Sequence, residues 1–254
     1  MPYKIETHDD LLPESTRVKV WEYIKTLDFY SGWMPTPGSK FKYNLNQPQE
    51  KWMILQHDSP SYRIHRVPLS SDEAGLKENF PIIYLLWKEL NRKLDNQYLL
   101  TGNPEGIYGP DFKAPQPSDP NLSAGWRAYI NAFHQAELMK GTGYIHRDTA
   151  LEYNDPDTVT MLYVANLEWY PSWSGEVKYF PDDPNSLDHQ QFNHGYQQQR
   201  NYGIGWLDQG QVVSPVPGRL IIQDGRCLHS TNPTNSPKDT PSVKVVFRAR
   251  RITS

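Results

Sequence analysis

Gly143-Tyr144-Ile145-His146-Arg147-Asp148 is the stretch on which the reading of this chain turns. On an extended strand, residues two apart leave the same face, so His146 and Asp148 would present an imidazole and a carboxylate side by side. A third donor far along the chain has to come from a strand facing the first. His229, within Cys227-Leu228-His229-Ser230, stands in such a setting. Two imidazoles and one carboxylate occupy one face of an octahedral ion and leave three positions open, the ligand set of a non-haem iron(II) centre that takes a cosubstrate and dioxygen. His146, Asp148 and His229 are therefore the candidate metal ligands and the candidate catalytic residues.

Around this stretch the texture is that of strands. Segments 127–133, 143–148, 158–166, 175–180, 219–223 and 242–250 are rich in β-branched and aromatic residues, and their separators hold Asp-Pro, Asn-Asp-Pro, Pro-Val-Pro-Gly and Asn-Pro. The first half reads differently. Asp9, Asp10 and Pro13 precede Val18, Trp21, Ile24 and Leu27 at helical spacing, predicting a helix within 9–28. Pro81 followed by Ile82, Leu85, Leu86, Glu89, Leu90 and Leu94 predicts a second over 80–94. Loops rich in Gly and Pro follow each helix, and no internal repeat is present. The expectation is a single domain, 1–254, of the α+β class and mostly β. Residues 1–125 would give helical support and loops, and 126–254 a jelly-roll core interrupted by an insert at 181–211. That insert, with its glutamines and aromatics, has the place of either a surface excursion or a substrate lid.

Composition narrows the class of partner. Aromatics are 13% of the chain, with eight Trp, sixteen Tyr and 22 Pro, which suits strands and shaped loops better than a helical bundle. A net charge of −3 disfavours a nucleic-acid backbone as partner. The one cysteine, Cys227, excludes an intramolecular disulfide and a thiolate zinc cluster, and fits a buried apolar position. There is no apolar run of membrane-spanning length, and the polar first residues do not read as a signal peptide, so the expected location is cytoplasmic. His57, His65, His134, His189 and His194 lie in surface-like stretches and read as solvent-facing. His-Arg-Asp also occurs in protein-kinase catalytic loops, but there an Asn follows five residues after the Asp. Here Tyr153 takes that place, and the Gly-rich loop and Asp-Phe-Gly are missing.

Five segments in order resemble the iron(II)/2-oxoglutarate-dependent oxygenases, in particular their prolyl-hydroxylase-like branch. Gly141-Thr142-Gly143-Tyr144 leading into His146 and Asp148 is similar to the strand that carries the first two ligands. The run from Thr160 to Trp169 is similar to the next strand and its turn. Trp173-Ser174-Gly175-Glu176-Val177-Lys178-Tyr179-Phe180 is similar to a Gly-Gly-Glu-x-x-x-Phe strand. Pro217-Gly218-Arg219-Leu220-Ile221-Ile222 with Leu228-His229-Ser230 and Pro233 is similar to the turn, strand and third ligand, and Asp10-Leu11-Leu12-Pro13 to the entry of a support helix.

The resemblance implies a double-stranded β-helix (jelly-roll) barrel buttressed by N-terminal helices. It implies Fe(II), 2-oxoglutarate and O2, with ascorbate as an optional reductant. The reaction would be hydroxylation of a C–H bond in a peptidyl proline, a free amino acid or another small molecule. Relatives place a basic residue on the last strand where this chain has Ser242. Lys244 and Arg248 share the strand face of Ser242 and are the two candidates for pairing with the cosubstrate tail. Asn131 resembles an Asn that contacts cosubstrate in the nucleic-acid-demethylating branch. Two other classes stay open: a non-catalytic jelly-roll binding module, which the serine at position 242 favours, and a cupin-type metal enzyme that does not use 2-oxoglutarate.

Overall fold

The computed structural model describes residues 4–31, 42–43, 45–46, 64–70, 73–100, 128–133, 148, 157–180, 210–232, 234–237 and 240–252. The first part of the chain gives β1 (Ile5–His8), α1 (Glu14–Thr26), β2 (Phe29–Ser31), β3 (Lys42–Tyr43), β4 (Ile64–Ser70), α2 (Glu73–Asn79), α3 (Pro81–Lys93) and β5 (Tyr98–Leu100). The second part gives β6 (Ala128–Phe133), β7 (Thr158–Val164), β8 (Val177–Phe180), β9 (Gln211–Val213), β10 (Leu220–Asp224), β11 (Leu228–Thr231) and β12 (Ser242–Arg251).

Among the described residues the strands form two antiparallel sheets. The large one runs β1-β10-β7-β12-β6-β4-β2-β3, with β5 continuing beside the end of β12; the small one runs β11-β8-β9. The chain is mostly β, but the strands are not confined to its second half: β1, β2, β4 and β5 from the first hundred residues all join the large sheet. Residues 1–125 therefore supply sheet as well as helices and loops. The physical reason is that β1 and β5 are only a few residues long and gain stability from pairing with the long strands β10 and β12, which local sequence pattern does not register.

β12 is the spine. Val243, Val245, Phe247 and Ala249 point to one side, where they join a core with Val20 and Ile24 of α1 and Ile83, Leu86, Trp87 and Leu90 of α3. Val246 points to the other side, into a second core with Val177, Tyr179, Val213 and Cys227 of the small sheet and its flanks. The architecture is thus helices, large sheet, small sheet, with one core in each gap. The Trp87 and Phe247 rings meet at 5.3 Å and tie α3 to the centre of β12.

The helix faces differ from the expected stripes. Val18 is 38% exposed and Leu85 49%, while Val20, Ile83 and Trp87 are buried. Both helices have apolar residues on more than one face, and the sheet selects the face that puts Trp87 on Phe247. Asp9 does not cap α1; its carboxylate takes a two-pronged pair from Arg219 at 2.7 Å on each oxygen. Two glycines fix chain reversals. Gly218 has φ +78°, and a Cβ there would lie 2.9 Å from Arg17 Nε; Gly175 has φ +84°, and its Cβ would meet Thr234 Cγ2 at 3.1 Å.

Candidate active site

Strand register builds a banded surface between the sheets. Arg248, Thr160 and Gln223 oppose one another across β12, β7 and β10, and so share a face. Two residues along lies Tyr129, Val246, Leu162 and Ile221; two further lies Asn131 with Lys244. A polar row, an apolar band and a second polar row therefore succeed one another. The two polar rows are about 13 Å apart at the backbone, four residues of extended chain.

Asp148 and His229 come together at the first polar row. Their side chains are 3% and 6% exposed, and His229 Nε2 stands 3.7 Å from Asp148 Oδ2. That distance is too long for a hydrogen bond. His229 Nδ1 lies 2.9 Å from the carbonyl of Cys227, and a carbonyl only accepts, so the proton is on Nδ1. The lone pair on Nε2 then faces the Asp148 carboxylate, with the Gln223 NH2 3.3 Å from each. Two lone pairs converging in a buried place fit a cation, and a backbone carbonyl that locks the tautomer is the usual outer support of a histidine ligand. The third expected ligand, His146, lies outside the described residues. Among the described residues no three His, Cys, Asp or Glu side chains gather around one point. The donor pair that is described fits the metal chemistry expected of it.

Asp148 is held from two further directions. Arg248 donates to Asp148 Oδ1 at 2.6 Å and to its backbone carbonyl at 2.7 Å. The same guanidinium reaches the Tyr129 hydroxyl at 3.2 Å. Gln223 Nε2 donates to Asp148 Oδ2 at 3.3 Å and lies 3.2 and 3.3 Å from the two nitrogens of the His229 ring. The other end of that amide accepts a hydrogen bond from the Tyr179 hydroxyl at 2.5 Å. Burial, with smaller contributions from Cys227 and Asp148, pushes the Tyr179 hydroxyl well above its usual range, which keeps it a donor.

Lys244 lies at the second polar row and is 1% exposed. Its ammonium donates to the Gly175 carbonyl and the Ser242 hydroxyl, each at 3.2 Å, and sits 4.8 Å over the Phe133 ring. These partners are neutral, and burial lowers its pKa to about 7, with nearby Glu176 acting the other way. Asn131 is buried beside it in register. Of the two cations offered by the sequence, Arg248 is bound to Asp148 and Lys244 is the one at the far row. β12 is an interior strand with both faces covered, so neither is a solvated edge charge.

Sequence reasoning did not pick out Gln223, Tyr179, Tyr129 or Thr160. A signal existed for the first: Gln223 follows Leu220-Ile221-Ile222, and the parity of Ile221 turns it inward. Thr160 Oγ1, on the same row, is buried without a hydrogen-bond partner among the described residues. The 181–211 insert lies outside the described residues but for its last two positions. Of the other histidines, His65 is in β4, and the remainder of that group lie outside.

No family model matches this sequence, and no curated protein does. The fold does have counterparts among solved structures. A prolyl hydroxylase from Trichoplax adhaerens, in complex with a hypoxia inducible factor oxygen degradation domain peptide fragment, is 13% identical with a TM-score of 0.50, over 97% of this chain and 83% of that one. HygX from Streptomyces hygroscopicus, with nickel, 2-oxoglutarate and hygromycin B bound, is 11% identical with a TM-score of 0.54, over 98% and 83%. EvdO2 from Micromonospora carbonacea var. aurantiaca, complexed with 2-oxoglutarate, is 12% identical with a TM-score of 0.50, over 98% and 86%. This chain has the fold of that prolyl hydroxylase and of these 2-oxoglutarate-binding proteins.

Proposed function

We propose that this chain is a single-domain, cytoplasmic iron(II)- and 2-oxoglutarate-dependent dioxygenase, built on a closed double-stranded β-helix, that hydroxylates a C–H bond of a peptide or small molecule. The observation that carries the reading is the banded inter-sheet surface: converging donors on Asp148 and His229 at one end, an apolar floor, and buried Lys244 at the other. A five-carbon dicarboxylate has the complementary order of groups, a chelating head, methylenes and a charged tail. Fold likeness to proteins that hold 2-oxoglutarate supports the same reading. The peptide and the hygromycin B named in two of those structures support a peptide or small-molecule substrate without choosing between them.

Asp148 and His229, joined by His146, would hold the iron. Bound iron(II) supplies the place where 2-oxoglutarate and dioxygen react, giving succinate, carbon dioxide and the hydroxylated product. Lys244 neutralises the distal carboxylate and gains the counter-charge that its burial denies it. Val246, Leu162 and Ile221 cover the methylenes and keep water out. Arg248 neutralises Asp148 and holds one carboxylate oxygen away from the metal. The Cys227 carbonyl keeps His229 in the tautomer that can ligate. Prolyl hydroxylation is the finer reading, favoured by the motif order around His146 and Asp148.

Ser242 favours one competing reading, a barrel that binds without turnover, because it stands where relatives carry a basic residue. Anaerobic titration with iron(II), with and without 2-oxoglutarate, separates them. The oxygenase is expected to bind iron and to develop a weak visible charge-transfer band on adding 2-oxoglutarate. Iron binding with no band would point to a metal enzyme that does not use 2-oxoglutarate. Absence of iron binding would leave the non-catalytic module.

A further inference from the structure

The Tyr179–Gln223 pair is joined to the site by geometry alone. Gln223 is completely buried in β10, on the row of Arg248 and Thr160, and an uncharged amide there needs partners at both ends. Its oxygen accepts the Tyr179 hydroxyl, which leaves its NH2 to face Asp148 Oδ2 and the His229 ring. Were the amide turned over, its carbonyl oxygen would meet the Asp148 carboxylate, acceptor on acceptor, whereas the Tyr179 hydroxyl can donate or accept. The carboxylate therefore sets the sense of the amide, and the Tyr179 hydroxyl holds its oxygen end in place. Asp148 is then divided: Oδ1 belongs to Arg248, and Oδ2, steadied by Gln223, is the oxygen that faces His229 Nε2.

We propose that Gln223, braced by Tyr179, is a positioning residue that makes Asp148 a one-oxygen metal ligand through Oδ2. The proposal rests on the metal centre inferred above and adds which oxygen binds and what selects it. The Gln223 hydrogen bond is to the carboxylate, because with the proton on Nδ1 and Nε2 given to a metal the His229 ring has no acceptor left for the amide. Tyr179 also sits opposite His229 in the β8–β11 register, with the rings 6.0 Å apart, but its hydroxyl hydrogen-bonds only to Gln223 among the described residues.

The test is manganese(II) titration of the full chain, followed by the loss of the free-ion magnetic resonance signal, for wild type, Gln223→Leu, Tyr179→Phe and the double variant. Outer partners of metal ligands are typically worth about 10- to 100-fold in metal affinity. Gln223→Leu is expected to lose that much and Tyr179→Phe less, because an amide without its brace still donates part of the time. The double variant is expected to match Gln223→Leu, since the tyrosine has nothing left to brace. The visible spectrum of bound cobalt(II) is expected to change in both single variants. Losses that add, or wild-type affinity and an unchanged cobalt spectrum in the variants, overturn the proposal. If Gln223→Leu does not fold, Tyr179→Phe, which removes one oxygen, decides by the same two readouts. Failure of the wild-type chain to bind manganese would instead strike the metal centre itself.

Discussion

Lys244 carries its charge where water does not reach. With its pKa lowered to about 7 from an ordinary 10.5, the folded chain sheds this proton before the unfolded chain does. Unfolding therefore takes up a proton between about pH 7 and 10.5, and stability rises with pH across that window. Below it both states are protonated and the burial cost stands in full. Denaturant titrations are expected to show this rise in wild type and not in Lys244→Met, and the variant is expected to be more stable at neutral pH by on the order of a few kcal/mol. The same variant should lose 2-oxoglutarate affinity while keeping manganese, a separation that isothermal titration resolves. Arg248 behaves oppositely. Its removal strands a carboxylate that is 3% exposed, so Arg248→Ala is expected to cost about 3–5 kcal/mol in thermal or chemical unfolding and to weaken manganese binding. Arg248→Lys is not expected to rescue it, because one ammonium does not reproduce the grip on Oδ1, the backbone carbonyl and Tyr129 together. Sequence alternation placed both cations on one face and could go no further; which of them meets Asp148 depends on the fold of a distant segment.

At the scale of elements, β12 was the most legible part of the chain. Val243, Val245 and Phe247 against Lys244, Val246 and Arg248 read directly as two faces, and the structure assigns each face to its own core. The helices were legible as periods but not as phases. Ile82, Leu85 and Ile83, Leu86, Trp87 are both apolar sets, and only the Phe247 ring across the interface decides between them. Trp87 is fully buried, with its indole N–H unpartnered among the described residues. Trp87→Ala is expected to destabilise by about 3–5 kcal/mol. Trp87→Phe is expected to lose far less, since the smaller ring opens a cavity but removes a buried donor that has no acceptor. Equal losses in calorimetric melts would mean that the indole nitrogen is satisfied after all. The short strands β1 and β5 gave no local signal, because a few residues pair with a long neighbour for reasons that neighbour supplies.

Over the whole molecule, the site lies on the face of the large sheet away from the helices, and the strand at one border guards it. β1 pairs Ile5 with Gln223 and covers the outer edge of β10. Removing residues 1–8 would expose that edge. The expected result is a lower melting temperature, concentration-dependent aggregation and weaker manganese binding, measured by melts, light scattering and titration. Part of the candidate site was legible, namely Asp148, the remote His229 that meets it and the two basic residues of β12, while the strand expected at 143–148 lies outside the described residues but for Asp148, which stands in a bend. What was hidden are the neutral side chains, Gln223 and Tyr179, whose importance comes from register rather than residue type. Register also binds the two halves of the story. Sliding β12 by one position would carry Lys244 and Arg248 under the helices and thrust Val245 and Phe247 against Asp148. A slip in that one strand is therefore expected to dissolve the apolar layer and scatter both cations in a single stroke.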